Sequence, residues 1–198
     1  MFLLEIHASE ARMYSFCKYL GSEYEHVGIP STGQAGGLMV CWKNSPYISC
    51  SLGTDQAIYL VFHPPNRDPS LFVGVYASTQ VEARKQMWDE TTEVIKTGLP
   101  TVIAGDFNTL LWSSDKRGGA PFRVTQEVLS FRQWKDMNGL CPLVAKGPKF
   151  TWCNNRQGSA RTWELLDRAF ANKEWLTAFP SAVVEVLPRS YSDHAPCC

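Results

Sequence analysis

Gly105-Asp106-Phe107-Asn108 follows the apolar run Val102-Ile103-Ala104, a pattern that predicts a buried strand delivering a carboxylate and a carboxamide two positions apart. Side chains so spaced on an extended chain point to the same side. An aspartate can take a proton from water and an asparagine can donate to a phosphate oxygen, which together suit hydrolysis of a phosphodiester. The same four residues also make an ordinary Asx turn at a strand end. Ser192-Asp193-His194 and Leu166-Asp167-Arg168 add an imidazole and two more carboxylates. A working histidine needs a carboxylate to fix its tautomer, and either Asp167 or Asp193 can supply it, leaving the other for a metal. A lone S-D-H is otherwise a turn. Glu5 lies in the apolar run FLLEI, where a buried carboxylate is costly unless paired or metal-bound, although a glutamate at a strand end can also reach solvent.

The elements that must carry these groups are readable from periodicity. Residues 2–6 form a short strand. Ser9 caps a helix in which Met13, Phe16, Cys17 and Leu20 recur at helical spacing, closed by Gly21. Short runs at 24–29, 37–42, 47–52, 57–63 and 71–77 read as a β-meander punctuated by Gly, Pro, Asn and Asp. A helix at 81–97 ends before Pro100, the Asp106 strand follows, and a further helix covers 125–138. Residues 149–170 read as a hairpin with a long polar tip, Asn172 caps a short helix, and VVEVLP (183–188) is one more strand. Many strands with a few helices predict an α+β sandwich, two sheets faced together with helices outside, in one domain spanning 1–198.

Composition agrees. With 44% hydrophobic and 19% charged residues, the chain can bury enough apolar surface to fold. Nineteen basic and nineteen acidic residues cancel, so contact with nucleic acid must come from local basic patches. The seven cysteines are scattered, with no C-x-x-C pair, and read as buried thiols of a reducing compartment. The N-terminus lacks the apolar stretch of a signal peptide, and no run reaches the roughly 18 apolar residues of a membrane span. An intracellular protein is expected.

Taken in order, Glu5, Val75-Tyr76-Ala77, Gly105-Asp106-Phe107-Asn108, Leu166-Asp167-Arg168 and Ser192-Asp193-His194 resemble the endonuclease/exonuclease/phosphatase superfamily over essentially the whole chain. Within it, GDFNTLLWSSDKRGG (105–119), FTWCNNRQGSARTWELLDRAF (150–170) and SDHAP (192–196) resemble the endonuclease domains of plant LINE-type non-LTR retrotransposons. The resemblance implies a four-layer α/β/β/α sandwich of the DNase I-like type and Mg²⁺-dependent nicking of double-stranded DNA to leave a 3′-OH, with Mn²⁺ able to substitute. It further implies a nuclear setting and a reverse transcriptase domain in a longer parent protein. By the same resemblance Glu5 and Asp193 belong to the metal site, and Tyr76 approaches the scissile phosphate. Asp106 orients and deprotonates the attacking water, Asn108 holds the phosphate, and Asp167 orients His194. Asn155, Arg156, Gln157 and Arg161 at the hairpin tip would read DNA shape, and Lys116 and Arg117 would meet backbone phosphates. An ordinary polar hairpin and solvated cations are the plainer alternatives.

The chain departs from the family pattern at both ends. It has no W-N-x-x-G strand before Glu5 and no apolar strand after SDHAP; Glu5-Ile6 replaces E-T, and WELLDR (163–168) replaces W-E-R-L-D-R. A sandwich lacking its first and last strands is therefore expected, with reduced stability and weak nicking. Two other functions stay open on these residues: a non-catalytic remnant or binding module of the same fold, and a phosphatase or phosphodiesterase acting on a small molecule or lipid.

Overall fold

The computed structural model describes residues 1–31, 36–190 and 192–198, with side chains outside 50–53. Four layers stack in the order helix, sheet, sheet, helices. The first sheet has the order β1-β3-β2, from β1 (Phe2–Leu4), β2 (Tyr24–Ile29) and β3 (Leu38–Lys43), all antiparallel. Its outer face carries α1 (Glu10–Leu20). The alternation along β3 explains this placement: Met39 and Cys41 pack on Met13 and Cys17 of the helix, while Leu38 and Val40 turn to the second sheet. A strand buried on both faces has no polar positions to spare, which is why LMVCW is unbroken.

The second sheet has six strands. β4 (Ile48–Thr54), β5 (Ala57–Phe62) and β6 (Ser70–Tyr76) are antiparallel; β7 (Thr101–Asp106) runs parallel to β6 after the crossover helix α2 (Val81–Ile95). Ile58 and Leu60 of β5 face Leu38 and Val40 across the inter-sheet core. At Gly74 a Cβ would collide with the Phe2 ring, so the glycine is what lets β1 approach β6 closely. On the outer face Met87 and Trp88 of α2 meet Val73, Val75, Ile103 and Phe107. Beside α2 lies α3 (Gln126–Met137), which contributes Phe131 and Trp134, with the Trp88 and Phe131 rings stacked 5.5 Å apart.

The remaining strands are short. β8 (Lys116–Gly118) precedes α3; β9 (Cys141–Pro142) and β10 (Val144–Lys146) follow it. β11 (Trp152–Cys153) and β12 (Thr162–Glu164) pair as the predicted hairpin, and β8 joins them as a third strand. β13 (Asp167–Ala171) then enters the six-stranded sheet between β7 and β9. The expected single return strand is thus two strands. Leu165 donates to the Asp115 carbonyl and Leu166 to the Thr151 hydroxyl, so the ladder breaks between Glu164 and Asp167. α4 (Lys173–Ala178) is capped by Asn172 as expected, and the same carboxamide oxygen accepts from Thr101 N–H. β14 (Val183–Glu185) pairs in parallel with β10 in a separate two-stranded sheet, shorter than the expected VVEVLP strand.

Three local expectations need correction. Ser9 stands at the start of α1 but its hydroxyl makes no capping bond, and Phe16 is exposed on that helix while Met13, Cys17 and Leu20 pack toward the sheet. Of the cysteines described, none is bridged; Cys17, Cys41 and Cys153 are buried but Cys141, Cys197 and Cys198 are exposed. The Cys50 thiol lies outside the described side chains. No described helix is long and apolar enough to cross a membrane.

Candidate active site

Register across three neighbouring strands builds the centre of the site. Tyr76 at the end of β6 pairs with Asp106 at the end of β7, and Asp106 pairs with Asp167 at the start of β13. The backbone ladder thus lines up a phenol and two carboxylates in a single row. Gly105 makes the row possible: its φ is 142°, and a Cβ there would overlap the Val75 carbonyl. Asn108 follows in the left-handed region at φ 46°, its N–H on Asp106 Oδ1 at 2.8 Å and its carboxamide donating to the Ala77 carbonyl at 2.6 Å. Non-glycine residues held at positive φ cost about 1–3 kcal/mol and cluster at working sites.

His194 arrives from the far end of the chain, its segment bridged to Trp152 of β11. Nδ1 lies 2.9 Å from Asp167 Oδ2, and Nε2 faces Asp106 Oδ2 at 3.9 Å. Burial by itself lowers the imidazole pKa, but the hydrogen bond and charge of Asp167, with the charges of Asp106 and Glu5, more than reverse this and raise it to about 9. Asp106 is nearly inaccessible. Burial first, then the charge of Asp167, outweigh the Asn108 N–H and the imidazolium and push its carboxyl up to about 7. A carboxyl poised near neutrality beside an imidazolium suits proton transfer at ordinary pH.

Glu5 comes from the other sheet. It leaves β1 at φ 51° and accepts a hydrogen bond from the Tyr76 hydroxyl at 2.5 Å. Burial, then this hydrogen bond, raises the Tyr76 phenol well above its ordinary pKa, and the charges of Glu5, Asp106 and Asp193 act in the same direction. Asp193 accepts from the Trp152 indole at 2.9 Å. Glu5, Asp193 and His194 each offer a ligand atom within 4.8 Å of the others. Because His194 is engaged by Asp167 and faces Asp106, the oxygen donors of this cluster are Glu5 and Asp193, a set that fits a hard divalent cation better than zinc.

Seven of the sequence-predicted residues therefore converge: Glu5, Tyr76, Asp106, Asn108, Asp167, Asp193 and His194. The hairpin residues Asn155, Arg156, Gln157 and Arg161 are exposed at its tip. Lys116 departs from the expectation of a free cation, since it is paired with Glu164 and largely covered. Arg117 is exposed and lies over the Phe150 and Trp163 rings. A cavity of about 360 Å³ opens beside Asn108, lined among others by Thr109, Phe122, Arg123 and Glu127.

Several supporting residues escaped the sequence reading. Thr151 is fully buried; its hydroxyl accepts from the N–H groups of Leu166 and Asp167 at 3.1 and 3.0 Å, and its carbonyl accepts from Ala195 N–H. It ties the Asp167 strand to the His194 segment. Arg168 reaches Asp115, whose carboxylate also takes the N–H groups of Leu111 and Trp112 and so shapes the loop after Asn108. Buried Arg84 pairs with Glu127 and donates to the Ser78 carbonyl. Sequence offers only weak signals for these, since a threonine or an arginine inside a strand or helix is common without such a task. Thr151→Val should leave two buried amides without an acceptor, costing about 1–3 kcal/mol each. A lower urea midpoint is expected for Thr151→Val and a near-parental one for Thr151→Ser.

A four-layer sandwich with an acid–imidazole–acid line at the ends of its central strands defines the DNase I-like class of fold. A model of the endonuclease/exonuclease/phosphatase family matches residues 1–194, and the chain belongs to that family. Solved structures agree in fold. The endonuclease domain of TRAS1, a telomere-specific non-LTR retrotransposon, superposes with a TM-score of 0.65 at 12% identity, covering 99% of this chain and 95% of that one. The 3′-5′ exonuclease NExo from Neisseria meningitidis gives 0.71 at 16%, covering 99% and 86%. The APE2 catalytic domain of Xenopus laevis gives 0.68 at 14%, covering 99% and 81%. At such identities the likeness shows the fold. No curated protein sequence matches the chain.

Proposed function

We propose that the chain is a divalent-metal-dependent endonuclease that nicks double-stranded DNA, and the observation that carries this reading is His194 held between Asp167 and Asp106. Asp106 positions a water and takes its proton as the water oxygen attacks phosphorus. The P–O3′ bond breaks, and the leaving oxygen takes a proton from solvent to give a 3′-OH opposite a 5′-phosphate. Protonated His194 faces the negative charge that builds on the phosphoryl group, with Asp167 keeping it oriented and charged. Asn108 and Tyr76 border the phosphate. Glu5 and Asp193 would hold Mg²⁺, or Mn²⁺ in its place, which when bound supplies further charge neutralisation.

The family motifs of the hairpin and its exposed polar tip support DNA over a small phosphate ester. On this reading a reverse transcriptase domain in a longer parent, and action in the nucleus, accompany the nicking activity. The test is supercoiled plasmid incubated with the 198-residue chain and Mg²⁺. Open circles whose 3′ ends a DNA polymerase extends are expected. Open circles that resist extension would overturn the proposed bond choice, and intact plasmid alongside hydrolysis of a small phosphate ester would move the chain to the phosphatase alternative.

A further inference from the structure

Among the described residues Arg84, in the first turn of α2, is the only buried cation, at 2% exposure. Taking a guanidinium out of water is costly, and a well-packed apolar side chain often serves stability as well as a buried ion pair does. Its partners give the charge a use. Nη1 donates to the Ser78 carbonyl at 2.5 Å, and Nη2 pairs with Glu127 of α3. The same Glu127 oxygen accepts from the Thr109 hydroxyl at 3.1 Å. Ser78 follows Ala77 and Thr109 follows Asn108, the two residues joined where the Asn108 carboxamide donates to the Ala77 carbonyl at 2.6 Å. One flat guanidinium thus spans the two loops between which Asn108 is held.

The Ser78 side of this bracket is fastened a second time by Gln56, whose side-chain oxygen accepts from Ser78 N–H at 2.6 Å while its nitrogen donates to the Ala83 carbonyl at 2.9 Å. On the other side Asn108 sits at φ 46°, a left-handed conformation that persists where its surroundings hold it. The Thr109 hydroxyl, one residue on, is the tether to Glu127. A carboxamide nitrogen carries two N–H groups, so with one engaged by Ala77 the direction of the other is fixed, and that one is left for a phosphate oxygen. Being uncharged, it depends on distance and angle. A misplacement of about 1 Å at such a group can cost about 100-fold in rate. A lysine ammonium on its flexible stem would not set the separation of the two loops as a rigid fork does.

We infer that Arg84, acting through Glu127 and Thr109 on one side and Ser78 on the other, is a positioning residue that aims the Asn108 carboxamide at the scissile phosphate. The inference rests on the endonuclease reading above for that phosphate. Arg84 itself touches neither substrate nor metal, and its two helices lie on the outer face of the six-stranded sheet, so the aim of Asn108 is set from outside the cleft.

The test uses Arg84→Met, which keeps an unbranched apolar chain in place, and Thr109→Val, which keeps the shape and removes only the hydroxyl link, each alone and combined with Asn108→Ala. Plasmid nicking with Mg²⁺ should fall about 10–100-fold in kcat with KM nearly unchanged. Once Asn108 is alanine, neither change should lower the rate by more than about twofold, because residues that act through one group do not multiply their effects. In a merely structural role nicking would follow the folded fraction, read from urea midpoints, and fall by the same factor in both backgrounds; that result would overturn the inference. A second readout needs no turnover. In ¹⁵N-labelled protein in EDTA, the Asn108 carboxamide proton that faces Ala77 should exchange slowly with solvent in the parent and at least about tenfold faster in both variants. If Arg84→Met does not fold, Thr109→Val carries both measurements. Faster exchange in variants of a chain that nicks no plasmid would uphold the bracket and overturn the endonuclease. Parental exchange in the folded variants, whatever their rates of nicking, would overturn the bracket.

Discussion

Plasmid nicking by the Asp106→Asn variant is expected to fall about 10²–10⁴-fold, the range over which a positioned proton acceptor contributes. Asparagine keeps the shape and can still accept the Asn108 N–H, so binding of duplex should hardly change while turnover drops. His194→Ala should lose a comparable factor, and the double variant little more, since the two groups act on one step. The same Asp106→Asn change should stabilise the metal-free fold. The folded carboxyl of Asp106 is pushed up to about 7 from an ordinary 3.8, so the folded state holds a proton that the unfolded chain has given up. Stability is therefore lost as pH rises from about 4 to about 7, and above that the buried charge costs its full amount. Asparagine is neutral throughout. In EDTA at pH 8 the variant should melt several degrees above the parent, and at pH 4 close to it. Equal melting points at both values would contradict the burial account of Asp106.

Chelation should have an effect as large. With EDTA, nicking should fall to background, and Mg²⁺ or Mn²⁺ should restore it where Zn²⁺ does not. Glu5 and Asp193 offer oxygen donors, which a hard cation prefers, while His194, the imidazole of that cluster, is held by Asp167 through Nδ1. Glu5→Gln should raise the Mg²⁺ concentration needed for half-maximal rate. Recovery with zinc alone would remove the oxygen-donor reading. Tyr76→Phe separates the two roles of Glu5: loss of the hydroxyl frees the carboxylate that it now holds, so the metal requirement should shift while the fold stays intact.

How far the site could be read in advance depends on what each residue needed. Asp106 and Asn108 were legible because a strand end followed by two polar groups is a local event written in four consecutive residues. From the residues alone the partner of His194 lay open between two aspartates, and only the family resemblance chose Asp167. The register of β13 against β7, which brings that aspartate beside Asp106, is a matter of backbone geometry that no local pattern records. Two faced sheets were expected from the many short strands with a few helices, but which residues of β3 and β5 face which layer was not, because both are unbroken apolar runs. The split of the hairpin's return strand was not legible, because it depends on where Asp115 and Thr151 take their hydrogen bonds. Lys116 looked like a free cation for the same reason. Its partner Glu164 lies 48 positions away and becomes a neighbour only when β8 pairs with β12.

The close seating of Phe2 against Gly74 gives the site an unequal mechanical make-up. Tyr76, Asp106 and Asp167 ride on one hydrogen-bonded ladder and can only move as a unit, whereas Glu5 is borne by the opposite sheet. The gap between Glu5 and that unit is thus set by the thickness of the interior, filled by Phe2, Leu38, Val40 and Ile58. Side chains that never meet substrate or ion act as shims. A methyl added at Gly74, two residues before Tyr76 on the same strand, would wedge the sheets apart and shift Glu5 while leaving the acid–imidazole line in register. If Glu5 and Asp193 hold a cation as proposed, drift in the oily interior would tune the metal requirement by degrees, long before any catalytic group is replaced.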